Sequence, residues 1–295
     1  MKKTLFTGSG VALVTPFNKG KVDFEALDRL IDFHLNNSTD AIIACGTTGE
    51  ASTLADGEHL SVLDFAIKKV NGKIPLIAGT GSNDTSHAIA FTKEAHKMGA
   101  DGVLLVTPYY NKATQKGLVK HYSAIAESAP IPCILYNVPS RTGTDIKPET
   151  VKILSEIDNI VAIKEATGDV ARTLKIRDLC GGDIDVYSGN DDITLPLLAC
   201  GAKGVISVMA NIAPKDMHDL TQLYFDGESE KALALQLKMM KLIEALFCEV
   251  NPIPVKTALS MMGLCSGELR LPLCEMENAT AEKLRCALTE YGISI

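Results

Sequence analysis

Eight short apolar runs dominate the sequence through residue 208. They are GVALVTP (10–16), AIIACG (41–46), IPLIAGT (74–80), GVLLVTP (102–108), IPCILYN (131–137), IVAIKEA (160–166), IDVYSG (184–189) and KGVISV (203–208). Each is too short for a helix, is rich in Val, Ile and Leu, and lacks polar alternation. A strand covered on both faces has that composition, as in a parallel sheet. Helical patterns fill the gaps. Leu60, Leu63, Ile67 and Val70 share one face of LSVLDFAIKKV, and Ala88, Phe91, Ala95 and Met98 share one face of SHAIAFTKEAHKM. Asp23, Asp56 and Asn83 precede helical stretches and are expected N-caps. The runs recur about 20 to 35 residues apart, the size of a strand plus crossover helix. Eight such units predict a closed (β/α)8 TIM barrel over residues 1–225 rather than an open doubly wound sheet. Beyond residue 225 the strand signal stops. SEKALALQLKMMKLIEALFCEV, PVKTALSMMGL and ATAEKLRCALTEYG read as further helices, a C-terminal extension over 226–295 packed on the barrel.

Composition excludes several classes. The 295 residues are 46% hydrophobic and 22% charged, as in soluble globular proteins. No run approaches the roughly 18 apolar residues of a membrane span. The N-terminal apolar stretch is interrupted by Gly8, Ser9 and Gly10, unlike a secretory signal, so it reads as the first strand and a cytoplasmic location is expected. A net charge of −7 without a basic block argues against a nucleic-acid partner. The eight cysteines lack C-x-x-C spacing, and most sit inside apolar runs, which suits buried reduced thiols. The six histidines are scattered without ligand spacing, so no metal site is expected. Three of them, His34, His87 and His121, fall in helical stretches and are expected at the surface.

In such barrels chemistry sits at the C-terminal ends of the strands. The residues there include Thr15, Gly46-Thr47-Thr48-Gly49-Glu50, Tyr109-Tyr110, Tyr136, Arg141, Lys164-Glu165, Gly189-Asn190-Asp191 and Ser207. No serine or cysteine is paired with a histidine among them, which disfavours a nucleophile–histidine hydrolase. G-x-G-x-x-G is absent, which disfavours a dinucleotide site. Lys164, ending the apolar strand IVAIK, stands out. Burial disfavours an ammonium, and a free amine attacks carbonyls to give an imine, an electron sink for carbon–carbon bond formation. Tyr136, one strand earlier, is placed to move protons. Thr47 and the Gly46–Gly49 backbone are placed to hold one carboxylate, and Arg141 a second. These residues alone point to a Schiff-base aldolase acting on a small keto acid. Blander readings stand beside that one: Lys164 as a solvated strand end, Tyr109 and Tyr110 as loop aromatics, Gly46 and Gly49 as turn formers, and Arg141 paired with Asp145.

Five segments in order, GTTGE (46–50), YYNK (109–112), YNVPSRTG (136–143), IKEATGD (163–169) and YSGND (187–191), resemble the dihydrodipicolinate synthase family over essentially the whole chain. The resemblance implies a lyase of lysine and diaminopimelate biosynthesis that condenses pyruvate with L-aspartate 4-semialdehyde, without metal or organic cofactor. It implies that Lys164 forms the imine and Tyr136 relays protons. Thr47 would link Tyr136 to Tyr110, which reaches in from a neighbouring subunit of a homotetramer built from two tight dimers. Thr48 would contact the pyruvate carboxylate, Arg141 the semialdehyde carboxylate, and Gly189 and Ile206 would line the pyruvate pocket through their backbones. Sister aldolases acting on sialic or keto-deoxy sugar acids share the lysine, the tyrosine and a G-[ST]-T-G-E loop. Arg141 discriminates, because a polyhydroxylated sugar calls for neutral hydrogen-bonding groups. A barrel that only binds keto acids is the non-catalytic alternative.

Many members of that family are inhibited by lysine at a cleft between subunits. His59, Asn83 and Tyr109 match that site. His87 stands where a lysine-sensitive member usually carries glutamate, and Asp56 where histidine is common. The resemblance therefore implies weak or absent inhibition here.

Overall fold

A computed structural model describes residues 2–295. All eight apolar runs form strands: β1 (Gly8–Ala12), β2 (Ala41–Ala44), β3 (Leu76–Gly79), β4 (Gly102–Val106), β5 (Cys133–Asn137), β6 (Ile160–Glu165), β7 (Asp185–Ser188) and β8 (Gly204–Ser207). Every neighbouring pair is parallel, and β1 pairs with both β2 and β8, so the sheet closes into a barrel. β1 begins and ends earlier than its apolar run suggests. After Ala12 the backbone N–H groups of Leu13 and Val14 turn to Ile43 O and the Asn211 side chain, so Thr15 and Pro16 lie in the loop above the strand.

The barrel helices are α1 (Phe24–Asn36), α2 (Asp56–Val70), α3 (Thr85–Met98), α4 (Gln115–Ser128), the single turn α5 (Pro139–Thr142), α6 (Pro148–Leu154), α7 (Val170–Cys180), α8 (Thr194–Ala199) and α9 (Pro214–Phe225). Asp23 caps α1 as expected, accepting from the Ala26 N–H at 2.9 Å. The other two expected caps are displaced by one residue. Asp56 is the first residue of α2, whose cap position is Ala55, and Asp84 rather than Asn83 caps α3. The Asn83 amide is occupied elsewhere, donating to Tyr109 O at 3.2 Å.

Two apolar layers result. One fills the barrel interior and includes Ile43, Leu104, Ile134, Tyr187 and Ile206; the other lies between barrel and helices. Phe6 stacks on Tyr187 with ring centroids 4.3 Å apart, inside the first layer. His34 and His121 are corrections to the surface expectation: they are 0% and 6% exposed. Each imidazole packs with Nδ1 against a threonine hydroxyl, Thr39 at 3.0 Å and Thr85 at 2.9 Å, and burial lowers the pKa of both rings. Cys45, Cys133, Cys180 and Cys265 are buried, whereas Cys274 and Cys286 are exposed. Among the described residues no helix is long and apolar enough to cross a membrane.

The C-terminal segment adds α10 (Ser229–Leu246), α11 (Ile253–Met261) and α12 (Asn278–Tyr291). α10 packs on α9 and α12, and α11 packs next to the turn that follows β8. That contact brings residues 251–270 to the barrel mouth.

Candidate active site

Tyr136 and Lys164 stand opposite each other across the β5–β6 ladder. Successive strand residues alternate faces. Lys164 therefore points into the barrel with Ala162, and Glu165 points out. Lys164 is 6% exposed and Tyr136 7%, and the ammonium lies 4.3 Å from the tyrosine ring centroid. A cation at that range is attracted by the negative ring face. Glu165, on the outer face, accepts from the Thr167 N–H at 3.0 Å, the Asn137 amide at 3.2 Å and Arg172 Nε at 3.1 Å. Burial pushes its carboxyl up, and these donors pull the other way. The network ties β5 to β6 directly behind the lysine–tyrosine pair.

The GTTGE turn follows β2. It is bent by two non-glycine residues at positive φ, Cys45 (55°) and Glu50 (51°). Gly79 allows this path: a Cβ there would lie 2.1 Å from Cys45 O. Thr15 Oγ1 donates to Gly49 O at 2.7 Å and ties the turn to the loop after β1. Thr47 is half-buried and Thr48 buried, with the Asn251 amide donating to Thr48 Oγ1 at 3.0 Å.

Arg141 sits on α5, exposed at the mouth. Its Nη2 donates to Asn251 O at 3.1 Å. Asp145, the alternative partner, is engaged by Arg172 at 2.9 Å instead. Asn251 thus touches both proposed carboxylate-binding side chains. Nothing marked it in the sequence, since it lies between two helices of the extension. Ile206 is fully buried in the barrel interior. Gly189 donates its N–H to Glu165 O at 2.7 Å, and a Cβ there would lie 2.5 Å from Ala166 Cβ. Asp191 is buried, accepting from the Val208 and Met209 N–H groups at 3.0 and 2.9 Å. Burial is the main cause pushing its carboxyl up.

A cavity of about 270 Å³ opens at the mouth, and Thr47, Tyr136 and Arg141 line it. His59, His87 and Tyr109 line the same cavity, so part of the effector cleft expected from the sequence adjoins the substrate side. Lys164, Thr48, Gly189, Ile206 and Asn83 are not part of its wall. Tyr110 lies outside it, 90% exposed and at φ 69°. The two positions where the resemblance implies a departure at the effector cleft meet: His87 Nε2 lies 3.2 Å from Asp56 Oδ1, and its ring stacks on Phe91 at 4.2 Å. His59 Nε2 lies 2.9 Å from Gly79 O, and burial is the main cause lowering its pKa.

Known proteins match this chain over nearly its full length. The model of the dihydrodipicolinate synthetase family matches residues 5–291. A 4-hydroxy-tetrahydrodipicolinate synthase of Geobacter metallireducens is 58% identical, covering 98% of this chain and 100% of that protein. A dihydrodipicolinate synthase structure from Aquifex aeolicus superposes with a TM-score of 0.97 at 48% identity, covering 98% of this chain and 99% of that one. Another from Acinetobacter baumannii, complexed with pyruvate, gives 0.96 at 49% identity, covering 98% and 100%. By sequence along nearly its whole length and by fold, the chain belongs to the dihydrodipicolinate synthetase family.

Proposed function

We propose that this chain catalyses the condensation of pyruvate with L-aspartate 4-semialdehyde to 4-hydroxy-tetrahydrodipicolinate, through a Schiff base on Lys164. The observation that carries the reading is Lys164 itself: a buried amine at a barrel strand end, 4.3 Å from the ring of a tyrosine that can carry protons. The names of the full-length relatives support the same reaction.

In this scheme the Lys164 amine attacks the ketone carbon of pyruvate, and water leaves to give the imine. Tyr136, through a relay with Thr47 and Tyr110, accepts a proton from the pyruvate methyl group and leaves an enamine. The enamine carbon attacks the aldehyde, and the resulting alkoxide is protonated. The amino group of the incoming substrate then displaces Lys164 from the imine carbon and closes the ring. Thr48 and the backbone near Gly189 and Ile206 hold the pyruvate unit, and Arg141 the semialdehyde carboxylate. An exposed arginine at the mouth suits an anionic second substrate better than a polyhydroxylated sugar.

Tyr110, 90% exposed on its own chain, completes the relay from a neighbouring subunit. The working form is a homotetramer of two tight dimers, in the cytoplasm.

Borohydride added with pyruvate traps an adduct on Lys164, read by mass spectrometry of the peptide. Lys164→Ala abolishes trapping and lowers kcat roughly a thousand-fold or more. Near-full activity in that variant overturns the scheme. Cleavage of a sugar acid with no turnover of the semialdehyde would assign the chain to a sister aldolase.

A further inference from the structure

We infer that the buried ion pair between Lys256 and Glu50 is a positioning device through which the C-terminal extension sets the geometry of the Thr47–Thr48 turn. The inference rests on the roles assigned above to Thr47 and Thr48. Lys256, on α11, is fully enclosed, as is Glu50, and Nζ lies 2.6 Å from Glu50 Oε1. The same ammonium donates to Glu268 O at 2.6 Å and lies 4.2 Å from the Phe17 ring centroid. The other Glu50 oxygen accepts from the Arg270 N–H at 3.1 Å. Both charges are thus satisfied without water.

Stability alone does not explain such a pair. Two buried charges lose hydration that their attraction barely offsets, and apolar replacements of similar volume are often neutral or stabilising. Direction is what the pair supplies. Glu50 holds a φ of 51°, a strained value for a residue with a Cβ, and strain of that kind persists only where the surroundings over-determine it. The Glu50 backbone N–H donates to Thr47 O at 3.1 Å, so the placement of Glu50 is passed straight to Thr47. Asn251, just before α11, grips Thr48 from the other side at 3.0 Å. One segment of the extension therefore anchors the turn at both Thr48 and Glu50. Neither Lys256 nor Glu50 lines the mouth cavity. Both act through the threonines and are positioning residues.

Glu50→Gln, Lys256→Met and the doubly apolar Glu50→Leu/Lys256→Met separate this role from folding. Each is purified as the full chain and measured for Tm, steady-state kinetics and borohydride trapping with pyruvate. The double variant is expected to keep a Tm near wild type. Its KM for pyruvate should rise about ten-fold or more, and trapping on Lys164 should slow, because small displacements of a holding group cost that much. The KM for the semialdehyde should move less. Folded variants with unchanged pyruvate KM and unchanged trapping overturn the inference. Loss of folding in every variant also overturns it, since the pair would then serve the fold. Trapping in the wild type tests the underlying reading separately: no adduct there sinks the Schiff-base scheme, whatever the variants do.

Discussion

The ammonium of Lys164 and the ring of Tyr136 face each other across adjacent strands, 4.3 Å apart, in direct register on the β5–β6 ladder. The arrangement puts the proposed nucleophile and proton carrier on two rigid elements rather than on loops. Backbone hydrogen bonds of the ladder fix their spacing, so neither group has to be ordered when substrate arrives.

Tyr136→Phe isolates the hydroxyl from the ring. The ring still packs over Lys164, so the fold and pyruvate binding are expected to survive. Loss of the proton carrier should lower kcat about a hundred- to ten-thousand-fold. Stopped-flow or single-turnover kinetics checks it. A large rise in pyruvate KM at unchanged kcat would contradict the proton-carrier role.

Arg141→Ala removes the guanidinium at the mouth. A lost charge-assisted contact is worth roughly 1.5–3 kcal/mol, so the KM for the semialdehyde should rise about ten-fold or more. Imine formation with pyruvate alone should stay near wild type. Equal loss of both would mean that Arg141 acts mainly through its bond to Asn251 O.

Tyr110 is tested by subunit mixing. Tyr110→Phe alone should lose about a hundred-fold in kcat, and Lys164→Ala about a thousand-fold or more. If Tyr110 serves a neighbour's site, hybrids of the two variants regain one intact site per tight dimer. Random mixing should then restore about a quarter of wild-type activity. No recovery after subunit exchange would mean that Tyr110 acts in its own subunit rather than in a neighbour's site.

Lysine inhibition is expected to be weak or absent. His87, which lines the mouth cavity, pairs with the exposed Asp56 at 3.2 Å, and no glutamate stands at position 87 to meet an effector ammonium. Initial rates measured across a lysine titration decide the point. Half-inhibition at micromolar lysine would be the contrary result.

Acid should destabilise the fold through two buried histidines. Burial is the leading cause that pushes His34 down to about 3 and His121 to about 4, against 6.5 when unfolded. Between those values the unfolded chain binds more protons than the folded one, so stability is present above pH 6.5 and falls as pH drops. The loss is at most about 1.4 kcal/mol per pH unit for each histidine. Tm measured from about pH 7 down to about pH 4.5 should fall, and His34→Asn/His121→Asn should flatten that slope. Equal slopes in the two proteins would assign acid loss to other groups.

Much of the protein was legible in its sequence because it is written in local periodicity. Eight apolar runs with amphipathic helices between them specify strands covered on both faces, and eight such units close. Strand-end position then marked Lys164, Tyr136 and the GTTGE turn, since alternation decides which residue faces inward: Lys164 in, Glu165 out. Where the local pattern misled, tertiary packing was the reason. His34 and His121 look like surface residues by type, yet each finds a threonine partner and is buried. Asn83 looks like a helix cap, yet its amide is taken by Tyr109. The supports of the site were not legible at all. Asn251 lies 203 residues from Thr48, and Lys256 lies 206 residues from Glu50. No spacing rule spans such a distance. Only the docking of the C-terminal helices against the barrel mouth decides that a buried charge and a buried amide meet the turn, because burial makes a partner obligatory and the fold alone determines which partner is within reach.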